Sequence, residues 1–102
     1  MNYSFEYSEE AKTDLRNLAN TIIYEYKSPV TAFNYLQGII DTIKNLCNYP
    51  KVYAICSASS LLQYGHFVRR VNYKKMAIIY SIYENTVYIH RIIAGALIWD
   101  ID

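Results

Sequence analysis

The sequence predicts an α+β fold: a helical hairpin packed on a small twisted antiparallel sheet, in the order β-α-α-β-β-β. Three observations carry this. Residues 2–7 alternate in polarity, two apolar stripes of helical period follow, and the second half holds two strand-like runs, Met76 to Tyr83 and Val87 to Ile93, joined at Glu84-Asn85-Thr86. A period of two marks a half-buried strand, and steps of three and four mark a helix with one buried face.

The elements follow in order. Tyr3, Phe5 and Tyr7 face one way while Asn2, Ser4 and Glu6 face the other, so the chain opens on a strand. Ser8 suits a helix N-cap, with Glu9 and Glu10 in the positive first turn. Ala11, Leu15, Leu18, Ile22 and Tyr26 form the first stripe. Ser28-Pro29 restarts the chain as a cap followed by proline at the first helical position. The second helix shows Phe33, Leu36, Ile40, Ile43 and Cys47, widened by Ala32, Ile39 and Leu46, and stops at Asn48 to Pro50. The tight connection predicts antiparallel helices.

Residues 51–64 have no readable period and are expected to form a loop with at most a short helical turn. Phe67 to Val71 reads as a short strand. The run from Met76 is apolar on both faces, which predicts a central, covered strand. A turn is expected at Gly95.

A chain of 102 residues with 53% hydrophobic content is expected to fold as one domain over residues 1–102 around a modest core. Its twelve tyrosines are many for that core, so several must sit at the surface or at an interface. The net charge of +1 is unevenly spread: residues 1–50 hold four bases and six acids, a net of −2, and residues 51–102 hold six bases and three acids, a net of +3. A basic half attracts polyanions or acidic peptides, although ordinary solvated charge fits so small an excess as well. Cys47 and Cys56 lack metal-ligand spacing and read as small buried hydrophobes in a reducing cytoplasm. No apolar run approaches membrane-spanning length and no signal segment precedes the fold, so a cytoplasmic protein without membrane contact is expected.

The candidate site residues lie in the sheet half. Arg69 and Arg70 are adjacent on a strand and should point to opposite faces, so only one of them faces the core side. An arginine fork holds a phosphate bidentately, and a surface ion pair to a helix acid fits the same pattern. His90 and Arg91 should likewise point apart: Arg91 with Val87, Ile89 and Ile93, and His90 with Tyr88 and Ile92. Near Tyr80 or Tyr83 a histidine suits general acid or base chemistry, though a satisfied structural histidine is the commoner case. Lys74 and Lys75 suit a phosphate-neutralising patch or a solvated turn. His66 reads as a solvated loop residue. The chain shows no nucleophile with its base and no glycine-rich phosphate loop, and no cofactor or metal is expected.

The ordered set Ser8-Glu9-Glu10-Ala11, Asp14-Leu15, Ala32, the stop from Leu46 to Pro50, Gly65, Arg69-Arg70-Val71, Ala77-Ile78-Ile79-Tyr80 and Val87 to Gly95 resembles the RelE/ParE superfamily of bacterial toxins. These are the toxin halves of type II toxin–antitoxin modules, among them the plasmid stabilisation proteins. The resemblance implies a cytoplasmic toxin neutralised by a cognate antitoxin. It also implies one of two targets: DNA gyrase, as for ParE members, or ribosome-bound mRNA, as for RelE endoribonucleases. For a ribonuclease the catalytic candidates are Arg70, His90 and Arg91. For nucleic-acid or partner binding they are Arg69, Arg70, Lys74, Lys75 and Tyr80. Ribonuclease members carry an arginine three residues before the strand tyrosine, and many follow the last strand with histidine, glycine and arginine. Here those positions are Ala77, and Ala94, Gly95 and Ala96, which points toward the binding toxin.

Overall fold

The computed structural model describes residues 3–99. Strand β1 (Ser4–Tyr7) leads into helices α1 (Glu9–Tyr26) and α2 (Pro29–Leu46). A 3₁₀ helix (Ser59–Tyr64) precedes strands β2 (Arg69–Tyr73), β3 (Met76–Tyr83) and β4 (Thr86–Ala94), and a 3₁₀ turn (Gly95–Leu97) follows. The sheet order is β1-β4-β3-β2. The β-α-α-β-β-β order and the α+β class are as expected. The sheet itself is mixed, because β1 runs parallel to β4 while the other pairs are antiparallel. The helical hairpin carries the chain back over the sheet before the meander begins, so the first strand joins with the opposite sense from a simple hairpin neighbour.

Local signals set the helix ends. Ser8 Oγ accepts from Ala11 N at 2.9 Å, and Ser28 Oγ accepts from Thr31 N at 3.2 Å with Pro29 behind it. Lys27 ends α1 in the left-handed region at φ 53°, the usual way to terminate a helix before a sharp turn. No helix among the described residues is long and apolar enough to cross a membrane.

The main core lies between the helices and one sheet face. Ala11, Ile39, Ile43, Leu46 and Cys47 pack on Val71, Ile78, Tyr80, Val87, Ile89 and Ile92. Burial also raises the Cys47 thiol pKa. A second cluster covers part of the other face: Leu61 and Val68 lie on Ala77 and Ile79, flanked by Tyr64 and Ile98. Strand β3 is therefore central and covered on both faces, as its continuous apolar run predicts.

Four details differ from the periodicity reading. Tyr26 and Phe33 are 65% and 66% exposed, because α2 turns the line Ala32, Ile39, Ile43 and Leu46 inward instead. Phe67 is exposed and β2 begins at Arg69, since Cys56 N bonds Val68 O and the loop along this edge ends the ladder there. Cys56 is only partly buried, because it lies in that edge loop. The β3–β4 connection is a two-residue loop, with Tyr83 paired to Thr86 and Glu84 at φ 55°.

One contact requires glycine. Tyr73 of β2 packs the hydroxyl end of its ring on α2 at Gly38, where a Cβ would collide with Oη and Cζ. At Gly95 a Cβ would sit 2.8 Å from Arg70 Nη2, the end of a flexible side chain that can move aside.

The register shifts between Ile79 and Tyr80: Ile79 pairs with Arg91, Tyr80 with Ile89, and His90 is the extra residue. This bulge moves Ile92, not Ile93, into line with Val87 and Ile89 in the main core.

Candidate functional site

The sheet face away from the helices is open beside the second cluster, and β3 and β4 position its side chains. His90 Nε2 and Ser81 Oγ share a 2.8 Å hydrogen bond. The His90 ring is tilted against Tyr64 at 5.5 Å and stands T-shaped to Tyr88 at 5.1 Å, and Tyr88 meets Tyr83 at 6.1 Å. Tyr83, Tyr88, His90 and Tyr64 thus form a continuous aromatic ladder from the β3–β4 loop to the first 3₁₀ helix. Burial under these rings lowers the His90 pKa, against a smaller opposing pull from Glu10.

Arg91 sits where β1 has ended and α1 takes over the edge of β4. Its Nε and Nη2 donate to the two oxygens of Asp14 at 2.8 and 3.0 Å. Its Nη1 donates to Tyr64 Oη at 3.1 Å, with Glu10 at 3.6 Å. Asp14 also accepts from Ile92 N at 2.9 Å, and Ser8 Oγ donates to His90 O at 2.7 Å. The turn from β1 into α1 therefore satisfies the edge of β4 that β1 leaves unpaired beyond Tyr7. The Asp14 carboxylate holds the guanidinium firmly protonated.

The expectation that His90 and Arg91 point apart fails here. Strict alternation puts them on opposite faces, but the bulge breaks the alternation between them, and both contact Tyr64. Arg70 and Arg91 flank Ile79 on one rung of the sheet, yet their heads diverge. Arg91 reaches α1, and Arg70 leans over Gly95 with Nε donating to Asn72 Oδ1 at 2.9 Å.

The remaining candidates scatter. Arg69 lies on the Tyr80 side of β2 and donates to Lys51 O at 3.2 Å and to Tyr53 O. Tyr80 cannot touch a partner from where it sits: it is fully buried, and its hydroxyl donates to Pro50 O at 2.7 Å. Position 80 faces the helices, so its ring completes the core, and burial raises its pKa. Lys74 lies over the rings of Tyr35 and Tyr73 at 5.4 and 5.5 Å. Lys75 and His66 are exposed loop residues. Ala77 is buried under Leu61 in the second cluster. The basic residues of β2 and its loop thus do not join His90 and Arg91 in one site. No group of three or more His, Cys, Asp or Glu residues that could hold a metal occurs among the described residues.

The sequence places Tyr88 on the His90 face, and the two rings do meet. Sequence reasoning missed Tyr64, Ser81 and Asp14 as partners of this site. Tyr64 could not be found, because its segment has no period.

Acidic groups surround the ladder. Glu6 and Glu84 line a cleft with Tyr83 and Tyr88 at one end, and Glu10 and Asp14 bracket Arg91 at the other. A face of this kind suits neutral or basic surfaces better than a phosphate backbone.

Comparison with known proteins agrees with this architecture. No curated protein matches the sequence significantly. Among solved structures, one from a chromosomal ParDE toxin–antitoxin system of P. aeruginosa superposes with a TM-score of 0.72 at 17% identity, covering 90% of this chain and 95% of that one. A chain of the RelBE2 toxin–antitoxin complex of Mycobacterium tuberculosis superposes with a TM-score of 0.61 at 15% identity, covering 92% and 99%. At such identities these likenesses speak for the fold. The model of the ParE toxin of the type II toxin–antitoxin system parDE matches residues 5–99, nearly the whole chain, and the chain therefore belongs to the ParE toxin family.

Proposed function

We propose that this toxin acts as one domain over residues 1–102, inhibits its target by binding it, with DNA gyrase the expected target, and is held inactive in the cytoplasm by a cognate antitoxin. The observation that carries this reading is the fate of the cations. A site that cleaves RNA needs a free cation for the developing phosphate charge and an acid for the leaving oxygen, each contributing on the order of 10²–10³ in rate. Arg91 is bound bidentately to Asp14, Arg70 leans away over Gly95, and Arg69 is held by loop carbonyls. The alanines at positions 77, 94 and 96 supply neither group. The antitoxin part rests on membership of the family and on the likeness to chains from ParDE and RelBE2 systems.

The test is a DNA supercoiling assay with purified gyrase and this chain, alone and with the product of the adjacent reading frame. Inhibition relieved by that product supports the proposal. Unchanged supercoiling at stoichiometric excess counts against the target.

One observation favours a second reading, a ribosome-dependent endoribonuclease. The bulge brings His90 and Arg91 to the same tyrosine, which sets a proton-transfer group beside a cation that would have to leave Asp14 to meet a phosphate. Primer extension on translated mRNA decides: codon-positioned cuts lost in His90→Gln would establish the ribonuclease.

A further inference from the structure

We propose that the open face at the end of the β3–β4 hairpin is a recognition site for an arginine side chain delivered by a protein partner. The rings of Tyr83 and Tyr88 are its walls, and Glu6 and Glu84 its counter-charges. The site rests on the reading of this toxin as a protein-binding rather than RNA-cleaving molecule. It deepens that reading by naming the chemistry of one contact.

These four residues come from three separate places in the chain. Glu6 on β1 pairs in register with Tyr88 on β4, Tyr83 ends β3 opposite Thr86, and Glu84 follows in the loop. All four line one open cleft of about 530 Å³. Neither carboxylate makes an ion pair among the described residues, and both side chains lie in exposed positions. The other acids near the ladder are already engaged, Asp14 and Glu10 with Arg91 and Glu9 with Lys12. Tyr83 is 55% exposed, so more than half of this residue is open to a ligand.

Two free carboxylates beside two tyrosine rings define a narrow ligand class. Phosphate and nucleic-acid backbones are repelled by the charge. A purely apolar segment gains nothing from the carboxylates and has to desolvate them. A guanidinium satisfies both features, since its plane stacks on an aromatic face while its edge donates to carboxylates. Lysine offers only a point charge with stronger hydration, so arginine fits better. The cleft is open, so it holds an isolated arginine side chain only weakly, at millimolar ligand, and a partner's surface adds contacts elsewhere.

The full chain is titrated by NMR with a short glycine–arginine peptide and with the same peptide carrying citrulline, which keeps the shape and removes the charge. The expected result is chemical-shift change at Glu6, Tyr83, Glu84 and Tyr88 with the arginine peptide. Citrulline, Glu6→Gln, Glu84→Gln or Tyr88→Leu should each weaken binding by about fivefold, as for a surface cation–π or charge contact. Retained chemical-shift dispersion elsewhere shows that each variant is folded. Equal binding of both peptides, perturbation confined to other faces, or no perturbation overturns the proposal. Gyrase inhibition without arginine binding removes this site and leaves the proposed function standing. Arginine binding by a chain that cuts mRNA does the reverse.

Discussion

Replacing Asp14 by alanine should cost this protein about 2–4 kcal/mol. The carboxylate accepts three hydrogen bonds, two from Arg91 and one from Ile92 N, at 2.8 to 3.0 Å. Ile92 is 2% exposed, so its N–H loses its partner in a dry place, which costs roughly 1–3 kcal/mol. Arg91 keeps Glu10 and Tyr64 as neighbours and its side chain is 26% exposed, so its loss is partly screened and adds about 1 kcal/mol, well below the value for a fully buried pair. Asp14→Asn retains an acceptor for Ile92 N but no charge, and should cost about half as much. Urea unfolding of both variants checks the order, and a double-mutant cycle with Arg91→Met isolates the pair. An alanine cost below 0.5 kcal/mol (roughly the spread of neutral surface substitutions), or full additivity with Arg91→Met, would refute the claim that this carboxylate closes the edge of β4.

Two further outcomes are expected. Gly38→Ala should destabilise by about 1–2 kcal/mol in the same urea assay, because the roughly 1 kcal/mol gained in helix propensity is outweighed by displacing Tyr73 from α2 and from its edge contact with Tyr35 at 5.2 Å; a more stable variant would contradict the packing. Stability should also fall as pH drops below about 6.5: the folded His90 pKa is lowered by burial, so between that value and the ordinary one the unfolded chain binds more protons. His90→Gln should flatten this part of the pH–stability curve, and an unchanged slope would assign the effect elsewhere.

The local elements were legible in the chain. Ser8, Ser28 and Pro29 mark the helix starts they occupy, the period of two marks β1, and the doubly apolar run from Met76 marks the central strand. These signals act over a few residues and survive without tertiary context. Membership of the toxin family was legible too, since it rests on the order of motifs along nearly the whole chain.

What only the tertiary structure decided is where those elements meet. The parallel seating of β1 depends on how far the hairpin carries the chain before it returns. The bulge at His90 depends on the β3–β4 register, which a strict period of two does not reveal, and it alone brings His90 and Arg91 together. Tyr80 stands among the binding candidates until the fold buries it and Pro50 O takes its hydroxyl. Tyr64 belongs to a segment with no period, and only packing sets it on His90 and Arg91. Composition makes the second half basic, yet the open face is acidic, because Glu6 and Glu10 arrive there from the other end of the chain. Charge along a sequence is local, and a surface is assembled from residues far apart in it.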